Sequence, residues 1–272
     1  MSIDETALSH DELYTIVTNK KGKGKAGSIV AIVKGTKAEN VIEILTKIPL
    51  KERAKVEEVT LDMAPNMELI VKKSFPNTVL VTDRFHVQKL AVEALQEIRI
   101  KHRWEAIDQE NESIEKAKKN HKKFNPECLQ NGETRKQLLA RSRYLLYKRE
   151  SKWTQNQIER AEILFELYPD IKIAYQLTME LSNIFQNTTN KVYAYAKLAK
   201  WHEKVRQTGY KAFNTISRTI INHYQTILNY FDNKSTNASA ESFNAKIKAF
   251  RSKFRGVRCV EFFLFRLTNL YA

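Results

Sequence analysis

Two cysteines in 272 residues, Cys128 and Cys259, lie too far apart in sequence to make a zinc-binding spacing or a disulfide framework. A reducing cytosol fits that usage best. No stretch approaches the roughly eighteen apolar residues of a membrane span, and FFLF near the end is too short for one. Met1 is not followed by a basic-then-apolar leader, so the sequons at Asn187 and Asn237 carry no weight. Internal repeats and low-complexity tracts are also missing. Acidic residues are in deficit: thirty-one Asp and Glu face forty-six Lys and Arg, a formal net charge of +15. That imbalance favours a polyanionic partner, most simply nucleic acid. The expected compartment is the cytoplasm, with no membrane partner.

Among what is present, the stretch Val56 to Gln88 organises the rest. VEEVTLD and TVLVTD have the period-two, Val- and Thr-rich pattern of strands, and each ends on a carboxylate. Between them, Met67, Ile70 and Val71 fall at helical spacing and Pro76 closes the segment. A strand–helix–strand unit of this length predicts two parallel strands, with Asp62 and Asp83 at neighbouring carboxyl ends. In open α/β sheets that edge is where chemistry is built. A single Asp there more often caps the next helix, so function needs partners elsewhere.

Upstream, MSIDETAL predicts a short first strand interrupted by Asp4 and Glu5. ELYTIVTNK and SIVAIVKG predict two more strands, joined by the basic turn KKGKGKAG. AENVIEILTKI is an amphipathic helix. The result is a mixed sheet flanked by helices, with Asp4 and Asp62 neighbours if the first and fourth strands pair. From His86 to Phe231 strand patterns vanish. HVQKLAVEALQEIRIKHRWEAI is helical, DQENESIEKAKKNHKKFN lacks apolar positions and predicts a solvated extension or arm, and five further helices are expected over 133–150, 154–168, 170–185, 191–207 and 210–231. The domain boundaries expected are 1–90 for the first part of the core, 91–232 for an α-helical insertion and 233–272 for the returning core.

On a helical wheel of the terminal segment, Phe243, Ile247, Phe250 and Phe254 make an apolar stripe, with Glu241, Asn244, Lys248 and Arg255 opposite. A Glu followed by Lys at this spacing is by itself a surface ion pair. The density of Lys246, Lys248, Arg251, Lys253, Arg255 and Arg258 also suits a phosphate-facing surface. Three acids, two on adjacent strands and one on a helix, are what two-metal phosphoryl transfer requires.

IDE at residues 3–5, TLDM at 60–63, TDRFHVQKL at 82–90 and TNASAESFNAKIKAFRSKFRG at 236–256 together resemble the blocks of bacterial insertion-sequence DDE transposases, specifically the ISL-three group. The resemblance runs from the first residues to the last, with sharp motifs at both ends. It implies an α/β, RNase H-like fold with a large all-α insertion before the C-terminal catalytic helix. It implies Asp4, Asp62 and Glu241 as the catalytic, metal-binding acids, holding two Mg²⁺ ions with Mn²⁺ as substitute. Asp83 and His86 match a D-x-x-H motif expected to tie the insertion to the sheet rather than to hold metal. Arg84, Lys89, Asn244, Lys246, Lys248, Arg251 and Arg255 are the expected DNA contacts. Trp153 and Trp201 are candidates for stacking on an unpaired base, against a default of core residues. The implied partners are element terminal repeats, target DNA and further copies of the chain. Family members normally carry an N-terminal DNA-binding region before the first acid, which here is residue four. The expectation is therefore a separate N-terminal DNA-binding polypeptide, a fragment of a longer enzyme, or a decayed copy. The competing functions are a DNA-binding remnant without activity and a structure-selective nuclease of the same fold.

Overall fold

The computed structural model describes residues 1–9, 12–253 and 259–272. In chain order its elements are β1 (Ser2–Ser9), β2 (Glu12–Thr18), β3 (Ile29–Lys34), α1 (Ala38–Thr46), α2 (Leu50–Arg53), β4 (Glu58–Leu61), α3 (Pro65–Ser74), β5 (Val79–Thr82), α4 (Arg84–Lys119), α5 (Arg135–Arg141), α6 (Gln155–Leu167), α7 (Pro169–Asn187), α8 (Lys191–Thr208), α9 (Lys211–Asn222), α10 (Tyr224–Asn233), α11 (Ala238–Lys253) and α12 (Val260–Tyr271). They divide into two compact units. One comprises Met1–His86, Thr189–Val192 and Ile220–Ala272, the other Val87–Thr188 and Tyr193–Thr219. No helix among the described residues is long and apolar enough to cross a membrane.

The first unit is built on one five-stranded sheet of order β3-β2-β1-β4-β5. β1, β2 and β3 form an antiparallel meander, while β4 is parallel to both β1 and β5. With helices on both faces, this is an RNase H-like α/β arrangement. Strand alternation decides what each face carries. Ile3, Val17 and Val33 point to one side and pack with Val41 and Leu45 of α1 and Met67, Ile70 and Val71 of α3. Tyr14 and Ile16 point to the other and pack with Phe243 and Ile247 of α11 and Phe263 and Leu267 of α12. Each such fully buried side chain contributes about 1.5–3 kcal/mol, which seats α11 firmly on the sheet.

Asp4 and Glu5 were expected to interrupt the first strand, but β1 runs through both. Asp4 pairs with Ile16 and Glu5 with Thr15, so their backbone groups belong to the ladder whatever their side chains carry. Directly opposite partners share a face, and Asp4 therefore looks toward the side occupied by α11.

In the second unit the apolar stripe of α4 ends at Ala106. The charged stretch beyond, expected to be a solvated arm, continues as helix to Lys119. Pairs at helical spacing such as Glu112 with Lys116, 4.0 Å apart, are the kind that support a solvated helix. The segment expected as one helix from Glu133 stops early: Ser142 Oγ donates back to the Leu138 carbonyl at 2.7 Å and two 3-10 turns follow. The helix expected over 210–231 is broken at His223 into α9 and α10. Glu133, almost fully buried, accepts from Arg160 at 2.7 Å and Arg141 at 3.0 Å. Their side-chain hydrogen bonds hold its carboxyl below the usual carboxylate range despite its burial.

Candidate functional site

The site is assembled by register. Ser2 of β1 lies opposite Thr60 of β4, so Asp4, within β1, and Asp62, just past the end of β4, are each two residues further along parallel strands and stand at the same level. Leu61 lies opposite Thr82, which places Asp62 and Asp83 side by side just beyond the last pair. Asp62 Oδ1 accepts the Ala64 N–H at 2.9 Å. Asp83 precedes α4 and Oδ1 accepts the Phe85 N–H at 3.2 Å, an N-cap arrangement that puts His86 on the same turn.

Asn237 fixes the start of the helix that carries Glu241. Its side chain Oδ1 is hydrogen-bonded to the Thr60 hydroxyl, its N–H donates to Asp83 Oδ2 at 3.2 Å, and its carbonyl accepts the Glu241 N–H at 2.8 Å. The chain entering α11 is thus clamped to the ends of both parallel strands, and Glu241 follows one helical turn later. Sequence reasoning assigned Asn237 no role. Its signal was the Asn four residues before the Glu in N-x-x-x-E, a spacing that only a helix start explains.

Asp83, His86 and Glu241 each offer a ligand atom, all within 4.8 Å of one another. Asp4 lies outside this tight group but within electrostatic range of His86 and Glu241, and Asp62 lies within range of Asp4. Burial pushes the Asp4 carboxyl above the usual carboxylate range and the charge of Asp62 adds to the effect. The Glu5 N–H, the His86 imidazole and the Asn244 amide act in the opposite direction. Glu241 is raised first by burial and then by Asp83 and Asp4. Glu5, which sequence reasoning also left without a role, is raised by burial, Asp62 and Asp4.

The expected outward face of α11 is not where Asn244 lies. Asn244 is only 6% exposed, and its Nδ2 donates to Asp4 Oδ2 at 2.7 Å, so it holds a site carboxylate instead of meeting DNA directly. Of the other expected DNA contacts, Lys89 and Lys248 are exposed. Lys246 is exposed and donates to the Gly24 carbonyl at 3.1 Å. Arg84 lies over the Tyr230 ring and Arg251 over the Phe263 ring. Arg255 lies outside the described residues. Trp201 is fully buried with its Nε1 donating to the Leu177 carbonyl at 2.8 Å. A ring enclosed in the second unit cannot stack on a base, because the periodicity of α8 turns it inward with Ala194, Leu198 and Val205. Trp153 is half-buried, packed on Phe165 and Tyr175 with its Nε1 bonded to the Leu145 carbonyl. The tryptophan presented to solvent is Trp104, 60% exposed.

The donor set suits a hard divalent cation. Asp4, Glu5, Asp62, Asp83 and Glu241 form no ion pair among the described residues, in a chain with forty-six Lys and Arg. Carboxylates crowded without counter-charge are destabilising until a cation joins them. A raised carboxylate pKa means the folded state holds its protons to higher pH than the unfolded chain. The associated stability is complete below the ordinary carboxylate range and is lost as pH rises through the raised values. In chelator, thermal melts from pH 4 upward are therefore expected to show Asp4→Asn gaining on the parent chain as pH rises. At neutral pH the variant should be more stable by a few degrees. Added Mg²⁺ should narrow that gap by stabilising only the parent; a variant less stable at every pH would contradict it.

No curated protein and no solved structure matches the chain. A family model described as transposase, that of the ISL-three DDE group, matches residues 1–267. With the match spanning nearly the whole sequence over an RNase H-like sheet, the chain belongs to the ISL-three group of the DDE transposase family.

Proposed function

We propose that the chain is the catalytic part of a DNA transposase that cuts element ends and joins them to target DNA, with Asp4, Asp62 and Glu241 as its metal-binding acids. The observation that carries this is the gathering of carboxylates, none in an ion pair among the described residues, at the level where β4 and β5 end, from segments almost the whole chain apart. When bound, a pair of Mg²⁺ ions, or Mn²⁺ in their place, supplies Lewis-acid activation of the attacking oxygen and neutralises the leaving one. Asp4 is held within the β1 ladder and Asp62 directly follows β4, so their carboxylates need little reorganisation. Asn244 fixes the orientation of Asp4. Glu241 in the first turn of α11 is exposed, free to adjust as substrate enters. Lys246, Lys248 and Arg251 follow on the same helix, where their charges can pair with backbone phosphates flanking the scissile bond. Water attacks the phosphodiester at the element end and releases a 3′-hydroxyl, which then attacks a target phosphodiester.

The test is a strand-transfer assay with Mg²⁺, labelled element-end duplex and plasmid target. The expected product is the labelled 3′ end covalently joined to plasmid. Cleavage without joining would identify a nuclease, and salt-sensitive binding with neither reaction, even on pre-nicked ends, a DNA-binding remnant.

A further inference from the structure

We infer that Asp83, His86 and Glu241 form a binding site for a divalent transition ion, Zn²⁺ or Co²⁺ above all and Mn²⁺ as a spectroscopic stand-in, with His86 as its nitrogen donor. This goes beyond the proposed reaction, because it holds for the folded chain whether or not it cuts DNA.

The three ligand atoms already lie within 4.8 Å of one another. Donors sharing one ion at about 2.0–2.2 Å stand roughly 3–3.5 Å apart, so closure needs about an ångström or more of movement. Glu241 can supply it: the side chain is exposed, flexible and without a hydrogen bond among the described residues. Asp83 is the rigid member, only 1% exposed, with one backbone N–H on each oxygen, from Phe85 and from Asn237. Those bonds fix its orientation while leaving each oxygen a further lone pair, the usual support for a ligating carboxylate. His86 lies one turn along α4, half-buried. Neither of its ring nitrogens has a hydrogen-bond partner among the described residues, and its one ring contact is edge-on to Phe85. A D-x-x-H pair serving only to fasten two elements would bond its imidazole to one of them. Here the imidazole instead adjoins carboxylates, close enough for its charge to act on Glu241 and on Asp4. Imidazole suits Zn²⁺ and its neighbours in the Irving–Williams order far better than Mg²⁺, which prefers oxygen alone.

Chelated full-length protein reloaded with Mn²⁺ is expected to give ¹⁴N modulation from a bound imidazole in pulsed EPR. His86→Gln should abolish that signal and weaken Co²⁺ binding by at least about tenfold, the loss that even an outer-shell group causes. Asp62→Asn should retain the signal while losing cleavage, so failure of the proposed reaction and failure of this site are told apart. Absence of ¹⁴N modulation, or its persistence in His86→Gln, overturns the assignment. Should circular dichroism show His86→Gln unfolded, Glu241→Gln on the exposed side of the site carries the test. It is expected to lose Co²⁺ affinity to a similar degree, and unchanged affinity there overturns the assignment as well.

Discussion

Asp62→Asn is expected to leave the protein folded and to lower Mg²⁺-dependent cleavage of element ends by about a thousandfold or more, roughly 4 kcal/mol of transition-state stabilisation. The fold should survive because asparagine keeps the shape of the side chain and a carbonyl oxygen able to accept the Ala64 N–H, which Asp62 Oδ1 now receives at 2.9 Å. What disappears is one negative charge at the point where β4 ends beside β5. A divalent ion held by oxygen ligands depends on that charge for affinity and for position, and misplacement by an ångström already costs about a hundredfold. Lys248→Ala provides the contrast. That residue is exposed on α11, and its loss should weaken DNA binding evenly across sequences and reduce the salt slope by about one, with little effect on the rate at saturating DNA. Gel-based cleavage rates at saturating DNA and binding across a salt series separate the two effects. Unchanged cleavage by Asp62→Asn would remove this residue from the mechanism.

Strand alternation carried most of the sheet into view. Val, Ile and Thr at period two marked five strands, and a carboxylate closing each of two of them marked the edge where they pair in parallel. Hydropathy reads polar side chains less well when they are buried. Asn244 lies only about 60° from Ile247 around the helix, and a polar residue on the flank of an apolar stripe looks solvent-facing unless its partner is known. That partner, Asp4, lies 240 residues away, and no local pattern encodes it. The same limit hid Asn237, whose three bonds reach β4, the end of β5 and its own helix. The charged half of α4 was obscure for the opposite reason: a solvated helix buries no stripe, so periodicity has nothing to report.

Trp201→Ala is expected to destabilise the helical unit by about 3–5 kcal/mol, the usual cost of emptying a fully buried aromatic site, and to lower its melting temperature by about 10 °C. The ring is 0% exposed and its indole N–H satisfies the Leu177 carbonyl at 2.8 Å, so the substitution removes packing and a buried hydrogen bond together. Trp201→Phe keeps an aromatic ring but loses the N–H and part of the volume, and should cost less than the alanine variant, about 2–3 kcal/mol. Trp104→Ala, at a site 60% exposed, should stay within about 0.5 kcal/mol of the parent. Denaturant unfolding of the three variants, beside their affinity for single-stranded DNA, distinguishes a core residue from a base-stacking one. A stacking ring would reverse the pattern, leaving Trp201→Ala as stable as the parent but weaker on DNA by about 1–3 kcal/mol. Burial decides in favour of the core, because an aromatic face enclosed by its own helices has no surface left for a base.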